Sequence, residues 1–477
     1  MKRIIVGWCL MLAFTGTFAQ DLSSQLLKAI QTLEKSEALK YGMAGLYVVD
    51  SKTGKELFSY NGEKGFAPAS TLKVITAVSA YELLGQNYRF NTEIRYGGVI
   101  EDGILYGNLI ISGTGDPAFG SDRFGTTEAQ KMLTEITDAI EKAGIKKIKG
   151  NLLADESRFD FHPAPQGWIW EDLGNYFGAG VWGLNWRENK YQLRLKTGKS
   201  ENDPVSILGT EPEMNIHTLV NELKTGKPNS GDNAYIFMAP YAVSGFVRGT
   251  VPPSVQPYVI SGAMPDAPAQ FLAELERELI KKGIEVEGEK LTALQMQLND
   301  NQITGSGELL ARFHSPKFDS LVYWFLQKSI NLYGEAFVKA IAAEGKPADA
   351  LKSTGATTAE GIELIRNFWE SKGIQKNAIR VEDGSGLSPR NRVTPKALVT
   401  VMQYARLRPW FKAFYEGLPV VNGIHMKSGT IGGVRGYTGY VQSKTGKQYT
   451  FAIVVNNHST TTTAITRELW KILDLLK

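Results

Sequence analysis

The spacing of apolar positions changes period several times along the chain. Residues 45–49 and 56–60 read as two strands, with the turn Ser51-Lys52-Thr53-Gly54 between them, a hairpin. The run 69–84 is apolar on almost every face and stops at Gly85, which predicts a helix inside a core. Between about 90 and 160 the pattern gives strands at 92–96 and 109–111 and one amphipathic helix near 126–143. From 187 to about 257 the chain is polar and rich in turns, with strand-like pieces at 191–195 and 235–238. A second amphipathic helix is expected at 271–282. From Leu309 onward the pattern becomes helical and apolar, with helices at 318–332, 337–343 and 358–372. The chain then closes with strands at 425–427, 437–442 and 449–456 and a helix over 460–477. No internal repeat or low-complexity tract interrupts it. Strands with a helix at both ends can complete a single sheet, which makes the middle an insertion.

Composition narrows the classes without choosing among them. The chain has 477 residues, 43% of them hydrophobic and 21% charged, enough for a globular protein of two or three domains. Lys2 and Arg3 precede the apolar run 4–14, and Thr17-Phe18-Ala19 precedes Gln20. This predicts a secretory signal peptide over residues 1–19, too short in its apolar part to span a bilayer. The only cysteine, Cys9, lies inside it, and Trp8 argues against a lipoprotein cut there. A mature protein without cysteine has no disulfide and no thiol chemistry. Losing Lys2 and Arg3 lowers the net charge from +4 to +2, which argues against a nucleic-acid role. No other stretch is long enough to cross a membrane. The 460–477 helix has an apolar face that fits packing on a sheet, with at most peripheral membrane contact as the alternative.

Candidate chemistry begins at Ser70-Thr71-Leu72-Lys73. At i and i+3 the serine hydroxyl and the lysine amine share one helix face. A lysine in a buried first turn is opposed both by desolvation and by the helix dipole, so a neutral amine beside a hydroxyl is expected. That pair is an activated nucleophile. The alternative is a solvated helix start with Lys73 pointing outward. Ser329-Ile330-Asn331 adds a hydroxyl and a carboxamide to an apolar helical stretch, where each needs a partner; local capping is the other reading. Lys-Thr-Gly occurs at 52–54, 196–198, 224–226 and 444–446, all in turn-like contexts. Lys427-Ser428-Gly429-Thr430 differs, because two strands and a helix follow it.

Taken in order, Ser70-x-x-Lys73, Ser329-x-Asn331 and Lys427-Ser428-Gly429 resemble the three motifs of penicillin-binding proteins and serine β-lactamases. The interval from Ser70 to Ser329 is far too long for a compact β-lactamase. It is similar to class C low-molecular-mass penicillin-binding proteins of the penicillin-binding protein 4 type, which are D-alanyl-D-alanine carboxypeptidases/endopeptidases. Gly113-x-Gly115-Asp116-Pro117, Gly167-Trp168-Ile169-Trp170-Glu171-Asp172-Leu173 and Asp383-Gly384-Ser385-Gly386-Leu387-Ser388 agree with that family.

The resemblance implies an α+β penicillin-binding/serine β-lactamase-like fold, with an antiparallel five-stranded sheet flanked by helices and two inserted β-rich domains. The peptidase domain would comprise 20–89 and 309–477, inserted domain II 90–186 and 258–308, and inserted domain III 187–257. It implies that Ser70 becomes acylated, Lys73 takes its proton, Ser329 relays a proton to the leaving amine and Asn331 holds the substrate amide. Lys427, Ser428 and Thr430 would meet the substrate carboxylate, with Gly429 between them. Backbone N–H groups of Ser70 and Thr430 would form the oxyanion hole. Substrates would be peptidoglycan peptides in the periplasm, and β-lactam antibiotics would be covalent inhibitors. No cofactor or metal is implied.

Two positions depart from or strain the pattern. The family commonly has arginine directly after Leu-Ser, against the carboxylate of a diaminopimelate side chain; here Pro389 stands there and Arg390 follows. Either Arg390 reaches across or the side-chain preference differs. An acid of Trp170-Glu171-Asp172 resembles the family's partner for the diaminopimelate amine, with Asp172 favoured over Glu171. For at least two of Trp168, Trp170, Trp182 and Trp186, core packing is the expected role. Competing readings are a serine β-lactamase and a catalytically idle peptidoglycan-binding protein of the same fold, which should have lost Ser70, Lys73 or Lys427.

Overall fold

The computed structural model describes residues 21–214, 216–303 and 307–477. The leader 1–19 and Cys9 lie outside the described residues. The chain forms two compact units. The first comprises the described residues up to Glu82, together with Val322–Ser329 and Ile365–Lys477; the second comprises Leu83–Leu321 and Ile330–Leu364.

The first unit is built on one antiparallel sheet. Its spatial order is Val420–Val421, Ile424–Ile431, Val434–Gln442, Gln448–Asn456, Met43–Asp50 and Glu56–Tyr60. The resemblance implied five strands; the sixth is the two-residue edge piece Val420–Val421, which extends the sheet by pairing with Ile424 and His425. Residues from both ends of the chain meet here, with Leu46 opposite Ile453 and Val48 opposite Phe451. Alternation puts those four side chains on one face. There they pack with Leu26 and Ile30 of helix 21–34 and Ile465, Leu469 and Leu473 of helix Thr462–Asp474. The apolar stripe of the closing helix is therefore core. On the other face, glycine at 45 admits Phe66 and Pro395, whose atoms lie 2.6 and 3.0 Å from where a Cβ would stand. Pro395 opens the helix Pro395–Ala405, capped by Thr394 Oγ1, which accepts from Ala397 N at 3.0 Å.

The second unit takes up both segments expected as inserted domains, together with 330–364. Its largest sheet has seven strands, with Asn91–Glu101 lying between Ile104–Gly113 and Glu308–His314. Two three-stranded sheets accompany it. One continuous core joins them, running from Ile94 and Leu109 through Leu193 and Ile236 to Phe271. Trp182 and Trp186 are buried in that core, whereas Trp170 is exposed.

Three local expectations change. Residues 308–314 form a strand rather than the start of a helical stretch, because they pair with the free edge of Asn91–Glu101, His314 opposite Asn91. The helix expected at 318–332 is two helices, Phe318–Gln327 and Asn331–Glu344, separated at Ser329, whose φ is 56°. The helix expected from 69 begins as a short 3-10 turn, Ala69–Leu72, before the α-helix Lys73–Leu83.

Candidate active site

In the first unit, the backbone turns sharply into Ser70. Ala69 has φ 47°, an unusual value for a residue with a Cβ, and the 3-10 turn that follows leaves Ser70 half-buried at its tip. Thr71 pins the turn by donating from Oγ1 to Pro68 O at 2.6 Å. Lys73 comes next and has no exposure at all. Its Nζ donates to Ser70 Oγ at 2.9 Å and to Ser385 O at 2.6 Å, and it lies 5.8 Å from the ring centre of Phe325. The outward-pointing reading of Lys73 is thereby overturned. A long polar side chain in an apolar helix stays inside only when its amine is satisfied there.

The carbonyl that meets Lys73 belongs to a turn held by a buried carboxylate. Asp383 accepts from Gly386 N at 2.9 Å, Ser388 N at 2.6 Å and Asn391 Nδ2 at 2.8 Å. Thr76 Oγ1 donates to Gly384 O at 2.6 Å, one helical turn beyond Lys73. Gly386, at φ 86°, lies so close that a Cβ would stand 1.9 Å from Ala69 O. The Asp383–Ser388 segment thus shapes the Ser70 turn.

The strand Ile424–Ile431 carries the third motif. Lys427 is 2% exposed and donates to Ser428 O at 3.0 Å. Burial, followed by repulsion from Lys73 and then Arg435, pushes its ammonium well below the ordinary lysine range. Two residues on, a Cβ at Gly429 would lie 2.6 Å from Pro68 O and 3.0 Å from Ser70 N. Glycine is what lets this strand approach the Ser70 amide. Ser428 is half-buried and Thr430 exposed. The turn Gly432-Gly433 makes a two-residue hairpin that sets Arg435 opposite Thr430. Arg435 donates to Thr430 Oγ1 and Tyr437 OH and lies 4.7 Å from the Tyr437 ring centre. Sequence reasoning missed Arg435 and the Ser385 carbonyl. The first was legible from the Gly-Gly register; a backbone acceptor leaves no such signal.

The remaining residues are distributed between the units. Ser329 closes the first unit's stretch Val322–Ser329, half-buried and in a left-handed conformation. Asn331 opens a helix of the second unit and donates from Nδ2 to Phe177 O at 2.7 Å. Asp172, also in the second unit, is half-buried; burial, then the neighbouring Glu171, pushes its carboxyl up to about 6. Arg390, in the first unit, is exposed and pairs with Glu382 at 3.3 Å.

A hydroxyl bonded to a fully buried amine, faced by a second buried lysine, is a set of groups for nucleophilic acyl transfer. Comparison with known proteins gives this class its family. Residues 26–423 match the D-Ala-D-Ala carboxypeptidase 3 (S13) family, and the chain belongs to it. It is a serine-type D-Ala-D-Ala carboxypeptidase, a hydrolase. The D-alanyl-D-alanine carboxypeptidase DacB of Haemophilus influenzae is 27% identical over 420 residues, which cover 84% of this chain and 82% of that protein. The D-alanyl-D-alanine carboxypeptidase of Actinomadura sp. (strain R39) is 26% identical over 474 residues, covering 91% and 82%. The crystal structure of penicillin-binding protein 4 from Haemophilus influenzae matches with a TM-score of 0.77 at 25% identity, covering 93% of this chain and 99% of that one. A further structure of that protein holds a β-lactam.

Proposed function

We propose that Ser70 is the acylated nucleophile of a periplasmic enzyme that removes terminal D-alanine from peptidoglycan stem peptides and also cuts D-alanyl cross-links. The observation that carries this reading is the pair of contacts at Lys73 Nζ, 2.9 Å to Ser70 Oγ and 2.6 Å to Ser385 O, in a side chain with no exposure. A neutral amine uses one N–H for the carbonyl and turns its lone pair to the serine hydroxyl. Two buried amines as close as Lys73 and Lys427 disfavour carrying both charges at once, which supports a neutral Lys73.

In this mechanism Ser70 Oγ bonds to the carbonyl carbon of the penultimate D-alanine while its proton passes to Lys73. Backbone N–H groups of Ser70 and Thr430 hold the developing oxyanion. The C–N bond then breaks as the Ser329 hydroxyl passes its proton to the departing amine and takes the one held by Lys73, which leaves Lys73 neutral again. Water, deprotonated by Lys73, adds to the acyl carbon; the bond to Ser70 Oγ breaks as Lys73 returns that proton to it, releasing the shortened peptide with Ser70 restored. Asn331 holds the substrate amide, and Lys427 with the Ser428 and Thr430 hydroxyls binds the terminal carboxylate. Arg435, bonded to Thr430, adds positive charge there. Asp172 meets the side-chain ammonium of diaminopimelate. A substrate carboxylate at Arg390 competes with Glu382. Export rests on the leader 1–19; among the described residues no helix is long and apolar enough to cross a membrane.

β-Lactams acylate the same serine, and this provides the test. The intact mass of the mature protein is measured after brief exposure to benzylpenicillin, with peptide mapping. A persistent adduct on Ser70, absent in Ser70→Ala, together with D-alanine release from a pentapeptide, supports the reading. Penicillin consumed without an adduct moves it to a β-lactamase. Intact penicillin and no adduct overturns Ser70 as nucleophile.

A further inference from the structure

Three consecutive residues with side chains, Arg187, Glu188 and Asn189, have φ of 55°, 55° and 51°. Non-glycine residues avoid this region, so such a run persists only where its surroundings hold it. They do. Asn189 Nδ2 donates to Gly180 O at 2.8 Å and Asn185 Oδ1 at 2.7 Å, while Asn189 Oδ1 accepts from Trp186 N at 2.9 Å. Arg187 Nε donates to Glu274 at 2.9 Å.

The product of the turn is one buried carboxylate. Glu188 is 4% exposed and accepts from Ser121 Oγ at 2.8 Å, Arg123 Nε at 2.7 Å and Lys190 Nζ at 2.7 Å. Burial would raise its carboxyl, but Lys190 and Arg123 outweigh that and hold it below the ordinary glutamate range. Two cations already neutralise it. A fourth donor is nonetheless present: Tyr333 OH, at 3.0 Å, from a side chain with no exposure. Tyr333 lies in the first turn of helix Asn331–Glu344, two residues after Asn331. Asn331 itself is tied to Phe177 O, beside Asn175, whose Oδ1 accepts from Ile236 N at 3.1 Å. The helix start is therefore fastened at two points to segments outside the helix.

We infer that Glu188 and Tyr333 are positioning residues: the left-handed turn, acting through the Tyr333 hydroxyl, sets the rotation of the helix start and thereby the place of the Asn331 amide. This rests on the reading of Asn331 as the group that holds the substrate amide. Tyr333→Phe removes one oxygen and leaves Glu188 three partners, so the fold survives it.

The test compares Tyr333→Phe, Asn331→Ala and the double variant by their saturating acylation rate with benzylpenicillin, on protein titrated for active sites. The expected result is a loss of about tenfold in Tyr333→Phe, a larger loss in Asn331→Ala, and a double variant no slower than Asn331→Ala alone. A structural role would lower the melting temperature and leave the rate per active site unchanged. Tyr333→Phe at the wild-type rate beside a slow Asn331→Ala, or losses that multiply in the double variant, overturn the positioning role alone. Asn331→Ala at the wild-type rate overturns the Asn331 reading and this inference with it.

Discussion

Lys73 in the first unit and Lys339 in the second are both helical lysines with no exposure, and they do different things. Lys339 Nζ donates to Asp160 Oδ1 at 2.6 Å and to His162 O at 2.9 Å. Burial pushes its ammonium down and Asp160 pulls it back, the balance of an internal ion pair. Lys73 instead donates to a hydroxyl and a carbonyl, and its charge repels Lys427. An amine held by a carboxylate is kept as a cation. An amine whose partners at Ser70 and Ser385 are a hydroxyl and a carbonyl has no carboxylate there to hold its charge, and it lies against a serine instead. Burial of a lysine therefore says little about chemistry until its partners are known.

The comparison breaks most decisively at Lys73. Replacing it with methionine should slow acylation by benzylpenicillin by about a thousandfold or more, since this removes the proposed base for Ser70. Stopped-flow or intact-mass kinetics would reveal it, and a loss under tenfold would make Lys73 a packing residue. Next comes Gly429→Ala. The added methyl collides with Pro68 O and crowds Ser70 N, so kcat/KM should fall about a hundredfold. Lys339→Met should behave oppositely, costing about 3 kcal/mol in urea unfolding by stranding Asp160, while the folded fraction acylates within about threefold of the wild-type rate. If Lys339→Met abolished acylation in folded protein, the distinction between the two lysines would collapse. The smallest effect concerns Asp172, whose carboxyl is pushed up to about 6. Falling pH protonates it and removes the charge proposed to attract a substrate ammonium. Between pH 7 and 5 the KM for a peptide with an amine side chain should rise by up to about tenfold, while that of an amine-free analogue stays level.

Much of the first unit was legible because its signals are local. The hairpin at 45–60 is an apolar strand and a turn-bounded partner, the last strand runs apolar, and the closing helix has a sharp stripe. Ser70 and Lys73 are one helical turn apart, so spacing alone puts them on one face. The strand Glu308–His314 was not legible, since it buries none of its residues fully and is held by an edge pairing with residues some two hundred positions earlier. Helix Pro395–Ala405 was missed although Thr394-Pro395 carries a capping signal, because its apolar positions blend into those around it. The break at Ser329 hid inside a continuous apolar run, where periodicity does not register one left-handed residue.

By itself the sequence determined which groups this protein has available and their order: a serine and lysine one turn apart, a serine and asparagine far downstream, and a lysine strand near the end. Short-range geometry and side-chain chemistry suffice for that. Only the tertiary structure decided that Lys73 is buried against a carbonyl, that a glycine brings the Lys427 strand to the Ser70 amide, and that a strained turn at Glu188 reaches Tyr333. Those contacts join residues more than a hundred positions apart. They form where close packing and the cost of an unsatisfied buried polar group leave one arrangement, and neither acts until the chain has folded.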